Sequence, residues 1–257
     1  YLLQRTRNTM TTKTTLKTTI KTTTLEQALW NSEDELRSHM DANEYKNYLL
    51  GLVFYKYLSD HLLYKAAELL EEEPNSLEHA QEIYEEAFED EEIQDVLLSE
   101  LQDTYGYTLN PDETYTAIIE KINNRTFELV ELEQAFRDIE QSDKTYLGLF
   151  NDVDLQSTRL GPNPQKRNDR ISAVMKRLDE VNLTEYGGDA LGDAYEYLIG
   201  QFASESGKKA GEFYTPQAVS NLMTRIAIAG KEDKMGLTVY DPTMGSGSLL
   251  LNAKEYS

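Results

Sequence analysis

The stretch Leu237-Thr238-Val239-Tyr240-Asp241-Pro242-Thr243-Met244-Gly245-Ser246-Gly247-Ser248-Leu249 reads as a strand, a glycine turn and a helix start. Leu237 to Tyr240 alternates and is β-branched at Thr238 and Val239, which predicts a short parallel-type strand. Asp241 falls at its carboxyl end, where open α/β sheets bind ligands. Gly245 and Gly247 let the backbone approach a ligand without interference from a Cβ. Ser248 to Ala253 opens a helix whose N-terminus faces the turn. The turn is not a complete dinucleotide fingerprint, because Leu250 occupies the place of the third glycine; nor is it a phosphate-binding Walker loop, because no Gly-Lys-Ser/Thr follows. A strand-end aspartate beside Gly-x-Gly suits a ligand carrying an ammonium group. Asp241 offsets the positive charge while the glycines admit a methionine moiety, which points to S-adenosylmethionine.

Working backwards, Gly211-Glu212-Phe213-Tyr214-Thr215-Pro216 is the second half of this reading. Thr215 suits an N-cap and Pro216 a first helical position. Val219, Leu222, Met223 and Ile226 then predict the buried face of the helix. Taken alone this is a capped helix. Glu212, Phe213 and Tyr214 immediately ahead raise it above that, since two adjacent aromatics beside a carboxylate can stack on an adenine or face a sulfonium cation.

Everything upstream predicts helices. Leu25, Leu29, Leu36 and Met40 recur at helical spacing. Glu44 to Glu73 reads as one long helix with apolar residues on several faces, the mark of an element central to its domain. His61 within it reads as a core or boundary histidine, since no second histidine or carboxylate pair frames it as a metal ligand. From Glu68 to Glu100 acids abound without a lysine or arginine, yet Ala80, Ile83, Tyr84, Ala87 and Phe88, then Ile93, Val96, Leu97 and Leu101, keep helical period. Amphipathic helices with solvated acidic faces account for this. Asp90-Glu91-Glu92 lacks the alternating ligand spacing and turn glycine of a calcium loop, and no metal site is expected. Tyr105 to Asp112 reads as a turn region. Ile118, Ile119 and Ile122 mark the next helix, and Leu129, Leu132, Phe136 and Ile139 the one after. Breakers cluster between Tyr146 and Asn168, the expected domain boundary. Helices resume with Ile171 to Leu178 and Leu191 to Phe202, separated by Gly187-Gly188, and Ser204 to Gly211 reads as a flexible basic loop.

Composition bounds the partners. The formal net charge is −21, 39% of residues are hydrophobic and cysteine is absent. Counterion release on phosphates needs lysine and arginine, so the segment as a whole is a poor non-specific DNA binder. The lack of cysteine removes disulfides, thiolate metal sites and thiol nucleophiles, and fits a reducing cytoplasm. No apolar run approaches the ~18–20 residues of a membrane span, and no apolar block follows the basic N-terminus as in a signal peptide. Residues 1–24 form a Thr/Lys/Arg tract, read as a disordered tail or leader.

Taken together, three blocks resemble the modification (M, or HsdM-type) subunit of bacterial type I restriction-modification systems. Leu25-Glu26-Gln27-Ala28-Leu29-Trp30, Met40 to Lys46 and Leu50 to Asp60 resemble its helical N-terminal domain. Leu191-Gly192-Asp193-Ala194-Tyr195-Glu196-Tyr197-Leu198-Ile199 resembles the helix opening its methyltransferase domain. Gly211 to Pro216 and Asp241 to Ser248 resemble its two cofactor motifs, here in the family order and about 25 residues apart. The resemblance covers about residues 25–257.

It implies a mainly α chain: a helical N-terminal domain over 25–165, then over 166–257 the truncated start of an α/β Rossmann-like, S-adenosylmethionine-dependent methyltransferase domain. It implies that Glu212, Phe213, Tyr214, Thr215, Pro216 and Gln217 line the cofactor, with Asp241, Gly245, Ser246, Gly247, Ser248 and Leu249 around its methionine end. It further implies methyl transfer to N6 of adenine in duplex DNA. The partners would be a DNA-specificity (S) subunit, a second M subunit and restriction (R) subunits, and DNA would be met through the assembled complex. The family's catalytic Asn/Asp-Pro-Pro-aromatic loop is expected after Ser257. The chain is therefore expected to be inactive alone and to bind cofactor weakly. Two other readings compete: a helical scaffold with a vestigial methyltransferase fold, and a methyltransferase acting on protein or a small molecule. Intact Asp241, Gly245, Gly247, Phe213 and Tyr214 favour the enzyme over the scaffold. The helical N-terminal block favours DNA over the other substrates, by resemblance.

Overall fold

A computed structural model describes residues 24–37, 39–184, 190–205, 215, 217–231, 236–244 and 247–255. The expected tail, Gly187-Gly188 and the loop from Ser206 to Gly211 lie outside the described residues. Ten α-helices are formed among those described: α1 (Leu25–Arg37), α2 (Ala42–Leu69), α3 (Leu77–Ala87), α4 (Glu91–Tyr105), α5 (Tyr115–Asn124), α6 (Leu129–Ser142), α7 (Pro164–Asp179), α8 (Ala190–Glu205), α9 (Gln217–Ile228) and α10 (Ser248–Glu255). None is long and apolar enough to cross a membrane.

The spine is α2. Its apolar residues fall on several faces, so it cannot sit at a surface. Tyr45, Leu49, Leu52, Val53, Tyr55, Leu62 and Leu63 are all buried, and α1, α3, α4, α5 and α8 pack around it. Gly51 permits a further approach, that of the turns between Ser142 and Pro164: a Cβ there would collide with Val153 Cγ2. The acidic stretch resolves in part as expected. Ala80, Ile83, Tyr84, Leu97 and Leu101 are buried while the carboxylates stay outside, but Ile93 and Val96 on α4 are exposed, so the buried stripe of α4 is narrower than its period suggests. Asp90 caps α4, accepting from the N–H groups of Glu92 and Ile93, which is the ordinary task of an aspartate ahead of a helix. Left-handed Gly106 (φ +78°) ends α4. His61 is half-buried, stacked on Tyr57 and edge-on to Tyr105; burial and the nearby Lys65 lower its pKa.

Tyrosine hydroxyls tie the body together. Tyr55 donates to the carbonyl of Glu113 (2.5 Å), Tyr84 to Leu109 (2.7 Å), Tyr107 to Leu58 (2.9 Å) and Tyr115 to Met175 (2.6 Å). Each bond satisfies a buried phenol and fixes the distance between two elements.

The breaker cluster between α6 and α7 forms a run of turns that buries Phe150, Leu155 and Leu160. The α7 helix, expected to belong to the second domain, buries Ile171, Val174, Met175 and Leu178 and packs mainly on α1, with α5 beside it. Ala194, Leu198 and Ile199 of α8 join the same core.

One ion pair lies wholly inside the helical body. Lys56, on α2, is 1% exposed; its Nζ lies 2.9 Å from Asp60 Oδ2, 3.8 Å from Asp179 Oδ1 and 4.7 Å from the Tyr115 ring centre. Asp60 is fully buried, and burial raises its pKa from 3.8 to about 6 against the opposing pull of Lys56.

Two expectations fail near the C-terminus. Residues 237–240 form no strand; a strand exists only with a partner, and the described residues contain none. The helices expected beside it, α9 and α10, are formed, but no sheet is seen among the described residues. The stripe expected to be buried on α9 is exposed: Leu222 is 59% and Ile226 68% accessible, with Val219 and Met223 also open. The face that α10 covers is instead Ser220, Thr224 and Ile228, where Asn252 Nδ2 donates to Ser220 Oγ at 2.6 Å. Small polar side chains let the two helices approach there, and no described element covers the apolar stripe.

Candidate functional site

Residues 237–243 run against the second half of α9 and the start of α10, and the three together line a cleft of about 500 Å³. Met223, Ala227 and Ile228 come from α9; Leu249, Leu250 and Ala253 come from α10. Among the described residues, the charged groups lining it are Asp241 and Lys231. Such a lining, apolar with few polar groups, suits a small organic ligand.

Asp241 is half-buried and held in one orientation by its own turn. Its Oδ1 accepts from the Thr243 N–H at 2.9 Å and from Thr243 Oγ1 at 3.2 Å. This is the local bonding that aspartate offers a tight turn. Its Oδ2 accepts nothing from the described residues, so one carboxylate oxygen is left for a cationic group. Gly247 follows with φ +82°, where only glycine is unstrained, and a Cβ there would have no neighbour within 4 Å. Its carbonyl accepts from the N–H groups of Leu250 and Leu251, both at 3.0 Å, and so begins α10.

Of the residues expected to form the site, Asp241 and Leu249 line the cleft, with Gly247 and Ser248 next to it in the chain. Thr215 is half-buried ahead of α9 and does not line the cleft, and Gln217 is the first residue of that helix. Glu212, Phe213, Tyr214, Pro216, Gly245 and Ser246 lie outside the described residues. Lys231, Thr224 and Ala227 were missed by sequence reasoning. Lys231 follows Gly230, whose φ of +76° ends α9, and a Gly-Lys pair after a helix signals only a terminus.

The residues fit S-adenosylmethionine in chemistry. Asp241 supplies a fixed carboxylate for an ammonium group. The open left-handed glycine supplies a close backbone approach, and the apolar walls supply room for a flat or aliphatic moiety.

Comparison with known proteins agrees with both halves of the chain. Residues 25–178 match the HsdM N-terminal domain model, and residues 186–257 match the N-6 DNA Methylase model. The chain is 33% identical over 242 residues to the type I restriction enzyme MpnII methylase subunit of Mycoplasma pneumoniae, covering 88% of this chain and 43% of that protein. It is 28% identical over 239 residues to the MjaIX methylase subunit of Methanocaldococcus jannaschii, covering 90% of this chain and 39% of that one. The crystal structure of a type I restriction-modification system methyltransferase subunit from Streptococcus thermophilus superposes with a TM-score of 0.82 at 58% identity, over 91% of this chain and 49% of that chain. The chain thus spans less than half the length of these relatives. By the HsdM model, which accounts for more than half its residues, this chain belongs to the family of type I restriction-modification methylase subunits.

Proposed function

We propose that the chain is the N-terminal portion of a modification subunit that transfers a methyl group from S-adenosylmethionine to N6 of adenine in duplex DNA. The observation that carries the reading is Asp241. Its Oδ1 is held by Thr243, its Oδ2 takes no described donor, and it shares a cleft with the turn that left-handed Gly247 closes. Asp241 would bind the ammonium group of the cofactor, and Gly247 with the start of α10 would pass close to its methionine end. Phe213 and Tyr214 would stack on the rest. The cofactor, when bound, supplies the activated methyl group. The boundary between the helical domain and the methyltransferase segment would fall after α7, between the stretches matched by the two family models, with α8 docked on the helical core from the other side. The working enzyme, in the cytoplasm, would join two such subunits to a DNA-specificity subunit, with restriction subunits able to join, and the acidic charge of this segment suits that division of labour.

The test compares the 257-residue chain with the full-length subunit co-purified with its specificity subunit. Duplex DNA is incubated with each in the presence of S-adenosylmethionine, and N6-methyladenine is measured after digestion to nucleosides. The complex is expected to form it and the 257-residue chain is not. Methyl transfer by the chain alone would overturn the assignment of catalysis to residues beyond Ser257. A complex that forms no N6-methyladenine would overturn the enzyme and leave the scaffold.

A further inference from the structure

The chain carries 46 acids against 25 lysines and arginines, yet from Gln156 to Leu178 it has six cations and one carboxylate, Asp169. In so acidic a protein most cations find an acid. Arg159 pairs with Glu44, Lys166 with Asp169 (3.9 Å), and Arg177 with Glu35 (3.5 Å) and Glu180 (3.3 Å). Arg167 and Lys176 form no ion pair among the described residues, and neither does Arg125 on the loop after α5. These three line one cleft of about 910 Å³ between that loop and α7. Among the described residues Arg167 bonds only neutral oxygens, those of Gly161 and Gln156, and its buried Nε has no partner there.

Arg125 adds a second, independent observation. It ends α5 in the left-handed region, φ +60° and ψ +33°, where glycine or asparagine is usual and a long side chain is strained. Asn123 and Asn124 stand directly before it and would suit that conformation better. An arginine there, whose guanidinium makes no hydrogen bond or ion pair among the described residues, is explained by what the guanidinium meets. The N-terminal turns of α6 and α7 both line the same cleft, through Leu129 and Pro164, and both bring positive helix ends to it. Of the two carboxylates there, Asp169 is taken up by Lys166 and by Gln165 (2.8 Å), leaving Glu128.

We propose that this cleft and the α7 ridge beside it are a contact for the phosphodiester backbone of duplex DNA, separate from the methyltransferase cleft. The choice of duplex DNA rests on the functional reading above. The shape supports it: along α7 the cations without an ion pair among the described residues, Arg167 and Lys176, stand nine residues and so about 14 Å apart, and Arg125 lines the same cleft. Such a line meets a repeating anion rather than a single small one. The contact reads no bases; it adds sequence-independent grip to an otherwise acidic segment.

The test is fluorescence anisotropy of a labelled duplex titrated with the 257-residue chain at several salt concentrations below 150 mM. Arg125→Gly removes the cation and relieves the backbone, so the variant folds; Lys176→Ala is at the surface; Lys144→Ala is a control that removes one cation elsewhere, as each of the two changes does singly. Arg125→Gly with Lys176→Ala is expected to weaken binding at least fivefold at low salt. It is also expected to lower the slope of log K against log salt by about 2, near 0.9 per lost phosphate contact. Lys144→Ala should change binding less than twofold. Four results would overturn the proposal: no duplex binding by the unaltered chain, no change in the double variant, an equal loss in the control, or binding of a labelled acidic peptide in place of the duplex. The assay needs neither cofactor nor methyl transfer. Duplex binding here without methylation by the full complex would sink only the enzymatic reading; methylation with unaltered binding by the double variant would sink only this one.

Discussion

In the full-length subunit, Asp241→Ala is expected to weaken S-adenosylmethionine binding by about 100-fold, because a charge-assisted bond to an ammonium group is worth ~1.5–3 kcal/mol and ~1.4 kcal/mol is tenfold. The carboxylate is oriented before the ligand arrives. Thr243 holds Oδ1 from two sides, at 2.9 and 3.2 Å, and Oδ2 takes no described donor. Asp241→Asn separates the two roles. It keeps an oxygen for the Thr243 turn and loses the charge, so its thermal melting should match the parent while most of the affinity is lost. Calorimetric titration of both variants with the cofactor checks this. Affinity within twofold of the parent in Asp241→Ala would remove the aspartate from the site. Full affinity in Asp241→Asn would show that the turn matters and the charge does not.

Lys56→Met is expected to destabilise the helical body by about 3–5 kcal/mol, the cost of leaving a buried acid without its cation. Lys56 lies between Asp60 on its own helix and Asp179 on α7. Removing it strands Asp60, which is fully buried with no donor at Oδ1 among the described residues. The double variant Lys56→Met with Asp60→Leu should recover most of the loss, since a well-packed apolar pair often matches a buried ion pair. The pH dependence has a definite sign. Asp60 holds its proton up to about pH 6 in the folded state and releases it near 3.8 when unfolded. Between those values the folded state binds more protons, so the contribution of Asp60 to stability falls as pH rises through the window. Without Lys56 that pKa rises further, so the loss in Lys56→Met should be small near pH 4 and full above neutrality. Urea denaturation at both pH values measures it; equal loss at the two would place the effect in packing and not in charge.

The helical body was legible in the sequence because period alone decides it. Apolar residues on several faces of α2 predicted its central place, and the acidic helices kept a buried stripe beneath the charge, complete on α3 and reduced on α4 to Leu97 and Leu101. What needed long-range partners was not legible. Leu237 to Tyr240 has the composition of a strand, but pairing makes a strand, and no described segment pairs with it. On α9 the most apolar stripe was expected inside; α10 instead covers Ser220 and Thr224, a choice made by the partner helix. Lys56 and Asp60 stand four apart in an apolar run, so their pairing could be read but their complete burial could not. At the site, the strand-end aspartate and the glycine turn were visible as local chemistry. The contributions of Lys231, Thr224 and Ala227 come from folding the chain back, which no local pattern encodes.

The tyrosine–carbonyl ties set an alkaline limit for the body. Burial holds the phenols of Tyr55, Tyr84, Tyr107 and Tyr115 well above the usual 10. Above pH 10 the unfolded chain sheds these protons while the folded one keeps them, so each phenol draws the equilibrium towards unfolding. Their ultraviolet ionisation signal would accordingly appear as a single steep step coincident with loss of helix, with the surface tyrosines titrating gradually before it. The same hydroxyls that set the spacing of the elements near neutrality thus make its collapse in base cooperative.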